Sequence, residues 1–147
     1  MPALTPEQFI EEAGETSRTL WISEAGGVTQ FGAFVEILQP GAHASIKHWH
    51  SDEDEMVYVL EGEVTLVEGN AETVLRPGSA ATFRKGVAIG HTLQNRSAFP
   101  TRCLVVGTRA PLDRITYPDH DRVCIRDRSL EDDVWTTLDG KPAQSPY

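Results

Sequence analysis

Residues 48–63 read HWHSDEDEMVYVLEGE: two histidines one residue apart, a serine, four consecutive acidic residues, and an apolar run that ends at a glycine. On an extended strand, residues i and i+2 point to the same face. His48 and His50 therefore aim together, while Trp49 aims away. Beyond a bend at 51–54, Glu55 opens the next strand and shares a face with Val57 and Val59. His91 follows the glycine-rich approach GVAIGH (86–91) and heads another short strand. Three imidazoles and one carboxylate on neighbouring strands are what a divalent first-row metal needs: borderline nitrogen donors, one anionic oxygen, and positions left for water or substrate. The competing interpretation of the same residues is a polar strand end with hydrogen-bonded histidines.

Outward from this stretch, short β-rich runs dominate. They fall at 19–23, 29–38, 55–60, 63–67, 72–75, 80–83, 91–95 and 101–107, separated by Gly26-Gly27, Pro40-Gly41, Glu61-Gly62, Gly69-Asn70 and Pro77-Gly78. Strands that recur so closely without long helices between them predict an antiparallel sandwich or barrel. One helix is expected ahead of them. Thr5-Pro6-Glu7-Gln8 combines an N-cap residue, proline at the first helical position and glutamine three residues after the cap, and Gly14 is placed to close the helix. From about residue 110 charge and proline increase, with apolar pieces only at 114–117 and 123–125. That segment is expected to be an irregular extension wrapping the barrel and helping a second subunit to pack.

A chain of 147 residues with 39% hydrophobic and 24% charged residues suits one globular domain with a real core. A net charge of -9 argues against nucleic acid and against an anionic membrane surface. No apolar stretch approaches the ~20 residues that span a bilayer. The start, MPALTPEQFIEEAG, has neither a basic nor an apolar signal region, so a cytoplasmic location is expected. Cys103 and Cys124 sit in apolar strand-like runs and read as reduced core thiols.

The spacing around the two histidines resembles the first motif of the cupin superfamily: glycine, five residues, His-X-His, three or four residues, Glu, six residues, Gly. His48, His50, Glu55 and Gly62 fall at these positions, with Gly41 one residue ahead of the leading glycine's place. The second cupin motif is matched by Gly78, Gly86, His91 and Asn95. Arg84 stands where proline is usual, and four residues rather than two separate Gly86 from His91.

The resemblance implies an all-β, cupin-like double-stranded β-helix (a jelly-roll barrel). It would form one domain over 1–147, with a core at about 18–108, a short N-terminal helix and a C-terminal extension from about 109. It further implies one divalent metal per chain (Zn, Fe(II), Mn or Ni) held by His48, His50, Glu55 and His91, with Glu55 also a candidate catalytic base. The reactions it suggests are those of dioxygenases, decarboxylases, lyases and sugar isomerases acting on a small molecule. A non-catalytic cupin that binds or senses a metabolite is the alternative, and a storage role suits so short a chain poorly. Pairing of two chains into a homodimer is expected for a cupin of this size.

Other residues carry more modest expectations. His43 should face away from the site and His120 should lie on the surface of the tail. Asp52, Glu53 and Asp54 should form a solvated loop. Gly62 and Gly78 read as turn glycines, and Asn95 as a residue that bonds a neighbouring turn or orients His91, the turn role being preferred. Val57, Val59, Phe83 and Leu93 are candidates for the apolar wall around the metal. No second acid or base is evident at a barrel-facing position, and Arg84 and Arg102 are the arginines considered for clamping a carboxylate.

Overall fold

The computed structural model describes residues 2–147. The N-terminal helix starts where expected but stops after one turn. Thr5 N donates to Gln8 Oε1 at 2.8 Å, completing the cap, yet the helical piece is only the 3-10 turn Pro6–Gln8. Ile10–Ala13 is instead a strand, β1, laid against Ser17–Trp21, β2. A helix of two turns is marginal by itself, and every residue of β1 is exposed, so no buried face anchors one. The ladder to β2 satisfies the same backbone groups. The fold's short α-helix, α1, comes later at Ile22–Gly26 and is closed by Gly27 in the left-handed region at φ 69°.

The remaining strands are β3 (Phe31–Leu38), β4 (Trp49–His50), β5 (Glu55–Glu61), β6 (Val64–Glu68), β7 (Ala71–Leu75), β8 (Ala80–Phe83), β9 (His91–Gln94) and β10 (Thr101–Thr108). Beyond them lie β11 (Leu112–Tyr117), β12 (Arg122–Asp127) and β13 (Val134–Thr136). Their pairing gives a sheet ordered β1-β2-β3-β10-β5-β8, a second ordered β7-β6-β9 and a third ordered β13-β12-β11-β4. The result is the mostly-β cupin-like jelly roll that the sequence implies.

Register in the large sheet fixes what faces inward. Val57, Val105 and Phe34 lie abreast on β5, β10 and β3. Val59, Cys103 and Glu36 form the next row inward, and Glu55, Gly107 and Gly32 form the row at the rim. Facing them across the barrel, Val64, Leu66, Leu75 and Leu93 join Val57, Val59, Cys103 and Val105 in the main core. Each such side chain withdrawn from water contributes about 1.5–3 kcal/mol before entropy is counted. That core closes the bottom of the barrel and leaves Glu55 at its mouth.

The C-terminal segment corrects the expectation of an irregular wrap. Along β11, Asp113, Ile115 and Tyr117 are buried while Leu112 and Arg114 are exposed, so the strand has one clean inner face. Ile115, Tyr117 and Cys124 form a second core with Ile46 and Trp135. Through β11 this sheet pairs directly with β4, setting Ile115 opposite His50. A buried aspartate interrupts the apolar alternation, which is why the segment reads as loop from composition.

Candidate metal centre

The β-scaffold gathers the four expected side chains at one end of the barrel. β4 carries His50, with His48 just before it, and His48 exchanges backbone hydrogen bonds with His91 at 3.2 and 2.9 Å. Glu55 enters from the first position of β5 and His91 from the first position of β9. One ligand atom each of His48, His50 and Glu55 lie within 4.8 Å of one another. His91 stands outside that mutual trio but reaches Glu55, its Nε2 lying 3.3 Å from Oε1. His50 Nε2 lies 3.5 Å from the other carboxylate oxygen.

Hydrogen bonding fixes which ring nitrogen each histidine offers. His48 Nδ1 donates to the Ile46 carbonyl at 2.8 Å, and His50 Nδ1 donates to Asp113 Oδ2 at 2.7 Å. Both acceptors require a proton on Nδ1, so Nε2 is the nitrogen each ring can offer a cation, which would displace any proton held there. This donor set fits a divalent metal on its own chemistry.

Electrostatics around the trio are uneven. Burial pushes His48 down to about 4, against the opposing pull of Glu55. Burial also works against charge on His50, but hydrogen bonds it donates to the Asp113 and Glu55 carboxylates outweigh it and raise the group to about 9. For Glu55, burial favours the neutral acid, yet hydrogen bonds to His50 and His91 hold it well below the usual carboxylate range. The carboxylate therefore stays ionised and ready to meet a cation.

Asp113 is a candidate site residue that local sequence reading missed. Its side chain is fully enclosed, and Oδ1 accepts from the Asp52 amide at 3.0 Å and from Ser51 Oγ at 3.3 Å. Glu53 corrects the expectation of a solvated acidic loop. It is 6% exposed, accepts from Arg128 at 2.7 Å and from the Ala110 amide at 2.8 Å, and lies 3.7 Å from His50 Nδ1. His50, Glu53 and Asp113 also fall within mutual reach. Because both carboxylates address the Nδ1 side of His50, they orient the ring from outside the basin.

The centre opens into a basin of about 540 Å³. Val57, Phe83 and Leu93 line it as expected, while Val59 lies in the closed core beneath. Phe83 stacks on His91 at 3.6 Å between ring centroids, almost parallel. Trp21, Phe34 and Tyr117 add aromatic wall.

An inward acid is present after all. Glu36, 6% exposed, lines the basin and accepts from Thr19 Oγ1 at 2.7 Å; burial raises it to about 7. As the only charged residue of FGAFVEIL (31–38), on the same parity as Phe34 and Leu38, it carried a readable signal. The arginine that reaches the basin is Arg126, from the tail, rather than Arg84 or Arg102.

The expectations for several other single residues hold. His43 and His120 are exposed and lie outside the trio. Asn95 is buried and bonds the carbonyls of Leu38 at 2.9 Å and Phe99 at 2.8 Å, a turn-holding role. Gly62 and Gly78 both take positive φ, at 75° and 89°. Cys103 and Cys124 are free and buried.

Comparison with known proteins agrees with the fold. The cupin domain family model matches residues 34–107. A solved cupin-superfamily sugar phosphate isomerase from Silicibacter pomeroyi is 34% identical, with a TM-score of 0.88 over 98% of each chain. A putative sugar phosphate isomerase from Acidithiobacillus ferrooxidans is 25% identical, with a TM-score of 0.77 over 87% of this chain and 81% of that one. A predicted oxalate decarboxylase from Thermotoga maritima, 17% identical over 74% of this chain and 99% of its own, shares the fold with a TM-score of 0.62. None of the curated proteins matches this chain. With a family match across half its length and a relative of such identity along nearly all of it, the chain belongs to the cupin family.

Proposed function

We propose that this protein is a metal-dependent cupin enzyme that isomerises a small hydroxy-carbonyl metabolite. His48, His50, Glu55 and His91 would hold one divalent ion (Zn, Fe(II), Mn or Ni). The observation that carries the reading is the shared orientation of His48 and His50. Both spend Nδ1 on acceptors outside the basin and keep Nε2 for the point where Glu55 stands. A bound ion would supply Lewis acidity, polarising a substrate carbonyl or hydroxyl.

The chain's own residues do the rest. Trp21, Phe34 and Phe83 exclude bulk water, Thr19 and Glu36 offer polar contacts deeper in the basin, and Tyr117 closes one side. Glu55 is the candidate base for moving a proton between adjacent substrate carbons, since its oxygens line the basin between His50 and His91. Isomerisation is preferred among cupin reactions because the two neighbours at 34% and 25% identity both carry that name.

Incubating the metal-loaded protein with candidate aldoses and ketoses, free and phosphorylated, in D2O tests the reading by NMR. Interconversion with deuterium entering the carbon next to the carbonyl, and its loss in His48→Ala, is the expected outcome. Binding without conversion or exchange would instead assign the protein to metabolite binding or sensing.

The proposal extends to assembly and location. Met56, Tyr58 and Leu60 face outward from β5, at 37–41% exposure. That apolar stripe supports pairing of two copies, which light scattering after size exclusion would read as a dimer mass. No helix among the described residues is long and apolar enough to cross a membrane. Two unpaired buried thiols fit the reducing cytoplasm.

A further inference from the structure

Beside the basin lies a smaller cleft of about 220 Å³, which shares Trp21, Phe34 and Glu55 with it and adds Arg109 and Arg128 to Arg126. Its floor is the rim row Gly32, Gly107 and Glu55. Neither glycine has a positive φ, so neither serves a turn. A Cβ at Gly32 would meet Arg109 Nη2 at 3.2 Å, and one at Gly107 would reach Glu55 Cγ at 4.0 Å. The missing side chains keep a path open between the arginines and the metal-facing carboxylate.

Each guanidinium is tethered with donors to spare. Arg109 gives Nη2 to Glu24, and Arg126 grips Asp133 through Nε and Nη2. Arg128 gives Nε to the Ala110 carbonyl and Nη2 to Glu53. Among the described residues none accepts from Nη1 of these three arginines, nor from Nε of Arg109. Within the cleft the acids are Glu53 and Glu55, the first engaged by Arg128 and the second by His50 and His91. The ion pairs thus hold the guanidinium planes in place and leave unused edges for a ligand.

We propose that Arg109, Arg126 and Arg128 form a subsite for the phosphate of a phosphate-monoester substrate whose other end reaches the metal basin. The proposal rests on the reading that this basin takes a substrate. Free edges of three guanidiniums around one small cleft match the three terminal oxygens of a monoester dianion, whereas a lone carboxylate needs only one guanidinium. A divalent ion at the trio would offset Glu55 next door and strengthen the attraction.

Calorimetric titration with inorganic phosphate, and with acetate for comparison, tests this on wild type, Arg109→Gln, Arg126→Lys and His48→Ala. Arg109→Gln removes the half-buried ion pair with Glu24, and Arg126→Lys keeps a cation for Asp133; melting curves verify that both fold. Phosphate is expected to bind at least about tenfold tighter than acetate, and each arginine variant to weaken it about tenfold or more. Phosphate binding unchanged in both arginine variants but lost with the metal in His48→Ala would overturn the subsite and leave the metal reading standing. Metal retained by His48→Ala, with phosphate still dependent on the arginines, would support the subsite and retire the metal reading. Acetate binding as tightly as phosphate would overturn the phosphate assignment.

Discussion

His50 takes its orientation from Asp113, 63 residues further along the chain. An asparagine there keeps the shape but loses the charge that holds the proton on Nδ1, so Nε2 is no longer reserved for a cation. Asp113→Asn is expected to weaken metal binding about 10–100-fold, measured by competition with a chelator; unchanged affinity would remove Asp113 from the site. The four direct ligand candidates were legible because alternation and spacing are local properties. Asp113 was not, because its partner lies on a strand distant in sequence and an aspartate in a charged tail reads as solvated. Glu36 was legible in principle, as one charge on the inward parity of an apolar strand. Its carboxyl rises from 4.5 to about 7 on burial, so the folded state holds the proton more tightly than the unfolded chain. The stability this confers is full below 4.5 and lost as pH rises through 7. Such a shift is worth about 3 kcal/mol. Relative to Glu36→Gln, wild type should lose up to about that much between pH 4.5 and pH 8, read from denaturant melts at each pH. Parallel profiles would contradict it.

At the scale of elements, the turns behave as their glycines require, but not equally. Gly62 and Gly78 share a left-handed backbone. At Gly78 a Cβ would meet nothing within 4 Å, while at Gly62 it would come 2.8 Å from the Pro100 carbonyl oxygen. Gly78→Ala should therefore cost only the backbone penalty, about 1–2 kcal/mol. Gly62→Ala should cost about 3 kcal/mol or more, since backbone rather than a flexible side chain must yield. Thermal melts that rank them the other way would show the β5–β6 turn to be looser than described. The N-terminal turn carries a related lesson. Its cap residues fixed where a helix begins, but nothing local said that pairing with β2 would end it after Gln8.

For the whole molecule, the strands from β3 to β10 were readable from their periodicity, and the outer sheet was not. β11 and β12 bury Ile115, Tyr117 and Cys124 in a core of their own, and they supply Asp113 to the candidate metal centre and Arg126 to the basin. The tail is therefore part of the site's construction, with Arg128 turned onto Glu53 and Asp113 onto His50. The account depends on those pieces converging on a single cation. Elemental analysis of protein purified anaerobically, without chelators or a histidine tag, measures this directly. It should find about one divalent metal per chain, lost in both His48→Ala and His50→Ala. A full metal signal in both variants would contradict the account.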